Sequence, residues 1–319
     1  MKRKIYPLLV VLLSFFLVFS ACQKDEGAEE PARSVSSINT KILRIADNQN
    51  GGLNIFVSVT DQDGRAIEGL NASNFEISMI EGNKETPVKI NGPTLLPSVI
   101  ITALTMDYSG SMYADTVSIA AMETALGTFI NMKNSYDQIE LIKFSDSVQV
   151  TVPLTSSTPS LLAGIIDTTF VGHGYTAFYR AVIQGINDVQ SLAASNPTYL
   201  PSVIGFTDGW NNLVPLTMDT LLLNSINNQI PVYTVAYGAN PDTTSLHAIA
   251  DSTGGAYAYN PSATSLSILY QIVNGQLSNS VIIPIPPPPA KGKVTYRVTA
   301  KYLTNGGLFK DTDEKYFYY

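Results

Sequence analysis

Three short stretches of this 319-residue sequence gather small oxygen-bearing side chains at places where a chain changes direction. "MDYSGSMYAD", residues 106–115, follows the apolar run "SVIITALT" and presents Asp107, Ser109 and Ser111. "GFTDGWNN" presents Asp208 at the end of another apolar run, and "GHGYTAFYRAV" sets Thr176 at a loop-to-helix junction. Any one of these is consistent with a hydrogen-bonded turn or cap. As a set they are hard oxygen donors, the kind preferred by Mg²⁺, Mn²⁺ and Ca²⁺. Whether the chain brings them together depends on the elements that carry them.

From residue 97 to 280 the hydrophobic pattern alternates between strand and helix. "SVIITALTM", "QIELIKFS", "PSVIGFTD" and "IPVYTVAYG" are apolar strand-like runs. Between them Ile119, Met122, Leu126, Phe129 and Ile130 recur at helical spacing, as do Phe178, Val182 and Ile186. "TLLLNSINN", "TTSLHAIADSTGG" and "SATSLSILYQIVNGQL" read as further helices, the second closed by glycines. Such alternation predicts an α/β fold, a doubly wound and mostly parallel sheet with helices on both faces. Ligands of these sheets bind beyond the carboxyl ends of the strands, where Asp107 and Asp208 stand.

The flanks differ. Residues 38–96 alternate apolar and polar positions (Leu53, Ile55, Val57, Val59; Phe75, Ile77, Met79) between turn signals at "DQDG" and "EGN", which predicts half-buried strands. Residues 281–289, within "IIPIPPPPAKGK", read as a Pro-rich linker that breaks regular structure. Residues 290–319 alternate again, with a hairpin turn at "NGG". Two strands alone are marginal in water. They are therefore expected to pair with residues 38–96, so that the α/β domain is inserted in a small all-β module.

In this context the sequence resembles the von Willebrand factor A-type domain, also found in integrins. "DYSGS" matches its Asp-x-Ser-x-Ser signature, "GYTAFYRAV" its threonine loop, and "FTDG" its second aspartate loop. "PVYTVAYG" and "IADSTGGAYAY" match its late strands and helix. The resemblance covers residues 97–280. It implies a metal-ion-dependent adhesion site in which Ser109, Ser111 and Thr176 bind a divalent cation directly, while Asp107 and Asp208 act directly or through water. Mg²⁺ is the first choice, with Mn²⁺ or Ca²⁺ as alternates, and the implied partner is a protein offering an Asp or Glu carboxylate. Tyr175 replaces the Gly common before that threonine, and Trp210 lies beside Asp208; both are candidate ligand contacts. His173, near Thr176, is read as a loop residue.

The N-terminus and the charge bound the setting. Lys2, Arg3 and Lys4 precede an apolar stretch, Ile5–Phe19, of about 15 residues, short of the roughly 20 that span a bilayer. With Ser20 and Ala21 before Cys22, this resembles a bacterial lipoprotein signal, so residues 1–21 are expected to be removed and Cys22 lipidated. Residues 22–37 read as an acidic tether, and "QKDEGAEE" resembles the surface-export signal of Bacteroidetes-type lipoproteins. These features predict an outer-membrane protein, lipid-anchored and exposed at the cell surface. Cys22 is the single cysteine, so the core has no intrachain disulfide. Without residues 1–21 the chain has 16 basic and 26 acidic side chains, a charge near −10. Such a surface repels phosphate backbones and excludes nucleic acid as a partner.

Enzyme chemistry finds little support. His173 and His247 are the two histidines, and no Gly-x-Ser-x-Gly elbow surrounds Ser109 or Ser111. Metal hydrolases generally gather His or several carboxylates around the ion. Two binding readings follow: capture of an external protein through the metal, or a periplasmic or surface scaffold that organises neighbouring envelope proteins.

Overall fold

The computed structural model describes residues 34–91, 96–114, 116–170, 172, 174–213, 215–238, 240–259 and 280–319. The export-signal stretch, Cys22, His173 and the helical pattern of residues 262–277 lie outside the described residues. Among the described residues no helix is long and apolar enough to cross a membrane.

The chain opens with five strands: β1 (Ile38–Asp47), β2 (Leu53–Asp61), β3 (Phe75–Glu81), β4 (Lys84–Val88) and β5 (Leu96–Pro97). An α/β segment follows: β6 (Val99–Asp107), α1 (Gly110–Ala114), α2 (Thr116–Met132), β7 (Gln138–Phe144), β8 (Val148–Thr155), α3 (Thr158–Ile166), α4 (Phe178–Ala193) and β9 (Tyr199–Thr207). It continues through α5 (Met218–Asn228), β10 (Val232–Ala236), α6 (Thr243–Thr253) and β11 (Tyr257–Tyr259). Three strands close the described chain: β12 (Val281–Ile285), β13 (Lys293–Thr304) and β14 (Gly307–Tyr318).

The central sheet has the order β11-β10-β9-β6-β7-β8. All its ladders are parallel except the last, where β8 returns antiparallel to β7. Its four inner strands, β10, β9, β6 and β7, are buried on both faces because helices cover both. Met122, Leu126 and Ile130 of α2 and Leu161 and Ile165 of α3 fill one core with Leu104, Met106 and Leu141. Phe178, Val182 and Ile186 of α4, with Leu221 of α5 and Leu246 and Ile249 of α6, fill the other with Ile101, Ile142 and Val203. Local chemistry sets the ends of these helices. The Thr217 side chain accepts from Thr220 N to start α5, and Asp242 accepts from Ser245 N to start α6. Gly254 then stops α6 in the left-handed region, at φ +78°.

Strands from both flanks share two antiparallel four-stranded sheets, β1-β2-β12-β5 and β14-β13-β3-β4. β12 pairs with β2 from Val281↔Val57 to Ile285↔Leu53, and β13 pairs with β3 from Thr295↔Ile80 to Ala300↔Phe75. Ile42, Ile55, Val57, Ile77, Ile283, Tyr296 and Val298 are all buried in one core between the sheets. The α/β segment leaves and re-enters at one point, where β5 pairs with β12 and the hydroxyls of Ser98 and Ser280 lie 2.7 Å apart.

Two expectations need correction. Residues 281–285 are a strand, not part of a linker. Pro284 is tolerated because its carbonyl accepts from Asn91 N on the side away from β2. In a strand the amide points the same way as the carbonyl, so the missing N–H costs no bond to β2. The second concerns β2, which is buried at all nine positions rather than on one face. Its apolar face meets the sandwich core, while Phe56 on the other face joins the α/β core. On that same face Asn54 donates to Pro197 O at 3.0 Å. The polar half of the alternation thus faces the inserted domain instead of water.

Candidate metal centre

The predicted ligands sit at the carboxyl edge of the central sheet: Asp107 at the end of β6, Ser109 and Ser111 at the turn into α1, and Thr176 and Asp208 on loops. Asp107 ends β6, and Ser109 N turns back to donate to Asp107 Oδ1 at 2.8 Å. This turn carries the chain into α1 and leaves the Oγ atoms of Ser109 and Ser111 3.2 Å apart. Ser109 is fully buried, whereas Ser111 is exposed. Thr176 precedes α4 and Asp208 follows β9, both buried.

Hydrogen bonds join the three loops pairwise. Thr207 Oγ1 donates to Asp107 Oδ2 at 2.5 Å, linking the first loop to the third. Gly110 N donates to Gly174 O at 3.2 Å, linking the first to the second. Thr176 N donates to Asn212 Oδ1 at 2.7 Å, and Asn212 N returns to Thr176 O at 3.3 Å, closing the triangle. Asn211 adds a bond from Tyr179 N to its Oδ1 at 3.0 Å, which fixes the start of α4. Beneath the ring Ser145, fully buried, accepts from Ala177 N at 2.6 Å. A Cβ on Gly172 would stand 2.6 Å from Tyr108 O and 2.8 Å from Ser145 Cβ, so a side chain there would push the first and second loops apart.

Asp107 is fully buried. Burial pushes its carboxyl up to about 7 against the pull of hydrogen bonds from Ser109 and Thr207, and the charge of Asp208 raises it further. The groups acting on Asp107 include no cationic side chain. Two carboxyl and three hydroxyl residues thus lie on segments tied together at one edge, with no cationic side chain acting on Asp107. Among the described residues no cluster of three or more His, Cys, Asp or Glu forms, so the donor set is built on hydroxyls.

Tyr175 and Trp210 flank this edge and are both well exposed, 65% and 53%. Trp210 is nonetheless held, its Nε1 donating to Asn240 O at 3.1 Å and its backbone N to Asp208 Oδ1 at 3.3 Å. His247 is far from this role: it lies on α6 with its ring 3.7 Å from that of Tyr257. Sequence reasoning alone missed Thr207, Asn211, Asn212 and Ser145. The Asn pair after "TDGW" was the one visible signal, since Asn side chains commonly bond to loop backbone.

The von Willebrand factor type A domain model matches residues 103–272, more than half of the chain. No curated protein matches it. Among solved structures it is similar to a von Willebrand factor type A protein from Catenulispora acidiphila, at 12% identity and TM-score 0.50, over 88% of this chain and 72% of that one. It is also similar to the BatB protein of Bacteroides thetaiotaomicron (16% identity, 56% and 98% coverage, TM-score 0.47). A third similar structure is the manganese-loaded TRAP protein of Plasmodium vivax (14% identity, 70% and 95% coverage, TM-score 0.48). With the family model, the six-stranded sheet and the loop order in agreement, the chain belongs to the von Willebrand factor type A domain family.

Proposed function

We propose that this chain is a non-catalytic binding protein that captures an Asp or Glu carboxylate of a protein ligand through a divalent cation. Asp107, Ser109, Ser111, Thr176 and Asp208 would hold the cation, with Mg²⁺ first and Mn²⁺ or Ca²⁺ as alternates. The buried Asp107 carboxyl, on which no cationic side chain acts, supports this reading most directly, because burial disfavours its charged form and a cation would balance it. Hard oxygen donors fit these ions, which commonly keep water at positions the protein does not fill. When bound, the cation supplies an electron-poor centre with affinity for a further carboxylate. Neutral hydroxyls from Ser109, Ser111 and Thr176 preserve that character, and two carboxylates balance the charge. Exposed Ser111, Tyr175 and Trp210 leave the edge open to a partner.

The setting belongs to the same proposal: a lipid anchor at Cys22 tethers the chain to the bacterial outer membrane, facing outward. The alternative is a periplasmic or surface scaffold organising neighbouring envelope proteins through another face. Calorimetric titration of Mg²⁺ and Mn²⁺ into the metal-stripped protein tests the site. One saturable site, lost in Asp208→Ala, is expected; no binding by the wild type rejects the metal centre. External protease on intact cells, compared with a known surface marker, tests the location. Protection of this chain while the marker is cut rejects surface exposure.

A further inference from the structure

A second site lies at the opposite end of the molecule, where the β-sandwich meets the amino-terminal end of the central sheet. A cavity of about 320 Å³ opens there, lined by residues from β1, α4, α5 and β14. Its floor carries Arg44, which is 94% buried because it retains 6% exposure. β1 contains an irregularity between Ile42 and Arg44 in its ladder with β2. Bulges of this kind re-aim side chains and are enriched near binding sites. Nη1 of Arg44 donates to Tyr199 O at 2.9 Å, while Nε and Nη2 have no partner among the described residues. Burial depresses this guanidinium to about 10, with no carboxylate acting to raise it.

A buried guanidinium with free donors asks for an anion, and its fork matches a carboxylate in two-point contact. Asp47 at the exposed rim disfavours a ligand of higher negative charge. Gln190, partly exposed, also lines the cavity and brings a side-chain amide for a ligand hydroxyl. Asn227, exposed at the opening, offers an amide for a second one. Pro197 and Phe317 supply an apolar wall against which ring carbons can pack. The volume falls at the lower end of the range for small-molecule sites, enough for one sugar-sized ring. We infer that this seam cavity binds a small polyhydroxylated monocarboxylate, the class of a uronic acid unit.

The test uses the whole chain in EDTA, so that the metal centre contributes nothing, with D-glucuronate, D-glucose and acetate as probes. Saturable glucuronate binding by calorimetry is expected, with glucose and acetate each weaker by about tenfold or more, the scale of a lost charge-assisted contact. Arg44→Met should abolish glucuronate binding. Because Arg44 also holds Tyr199 O, that variant can fail to fold. Asn227→Leu, at an exposed position, should fold normally and weaken glucuronate severalfold. Equal binding of glucose, absence of glucuronate binding, or undiminished affinity in a folded Arg44→Met or in Asn227→Leu overturns the proposal. Glucuronate binding that appears only with Mg²⁺ added would assign it to the metal centre and overturn it as well.

Discussion

Thr207 Oγ1 donates to Asp107 Oδ2 at 2.5 Å and at the same time accepts from Gly209 N at 2.9 Å. One hydroxyl therefore sets both the carboxylate at the end of β6 and the turn that displays Asp208. Neighbouring β6 and β9 run parallel in register, with Met106 opposite Phe206, so the two aspartate loops leave the sheet side by side. The hydroxyl is the clasp between them.

Thr207→Val keeps the shape and removes the clasp. It should lower Mg²⁺ or Mn²⁺ affinity by roughly 10–100-fold, the usual cost of losing a partner that orients a metal ligand. Thr207→Ser should restore most of it, which a loss of packing would not allow. Titration calorimetry of the three proteins decides; Val matching wild type would show that Asp107 orients itself.

Asp107→Asn and Asp208→Ala should both abolish cation binding yet part company in EDTA. Asp107 is fully buried, so replacing its carboxylate with a neutral isostere removes a desolvated charge, and stability should hold or rise. Asp208→Ala lies on a loop and should change stability by no more than about 1 kcal/mol. Denaturant melts in EDTA measure this. Loss of folding in Asp107→Asn would mean that its hydrogen bonds outweigh its burial.

Much of this is legible in the amino-acid sequence, and for definite reasons. Strand ends are marked where apolar runs meet Asp107 and Asp208, and a doubly wound sheet sends such ends to one edge. β8 was harder, because its residues are partly exposed and it is an antiparallel addition to a parallel sheet. The burial of Asn54 in β2 could not be read locally, since its covering residue Pro197 lies 143 positions away. The clasp was unreadable for the same reason: Thr207 and Asp107 are 100 residues apart.

Glu140 on β7 gives a pH test away from the centre. It is buried, its Oε2 lacks a hydrogen-bond partner, and burial together with nearby Asp188 pushes it up to about 8. A carboxyl raised above its unfolded value binds its proton more tightly in the folded state, so stability falls as pH rises from about 4.5 to 8. Glu140→Gln should abolish that fall. Its melting temperature should exceed wild type by a few degrees at pH 8, the scale of about 1 kcal/mol, and match it near pH 4.5. A constant offset at every pH would refute the titration.

The sandwich seals its own edge with side chains. β1 is an outer strand of its sheet, with backbone groups that a neighbouring strand would ordinarily meet. Alternate residues of β14 meet them instead: Asp311 accepts from Thr40 N at 2.6 Å, and Asp313 from Ile42 N at 2.7 Å. Lys315 donates to Leu43 O at 2.9 Å. On the same strand, the Gln229 amide bonds both Ile45 N and Ile45 O at 3.0 Å, anchoring β1 to the α/β domain. Losing either aspartate leaves a partly buried amide unpaired, a loss of about 1–3 kcal/mol. Asp311→Ala with Asp313→Ala should therefore expose the amides of Thr40 and Ile42 to hydrogen exchange, while amides of β6 and β9 keep their protection. Deleting residues 290–319 should go further, since it removes β13 from its ladder with β3 as well. Exchange in β1, β2 and β3 should then collapse while the central sheet persists. Protection of β1–β3 unchanged in that truncation would show that the amino-terminal strands fold without their carboxyl-terminal partners.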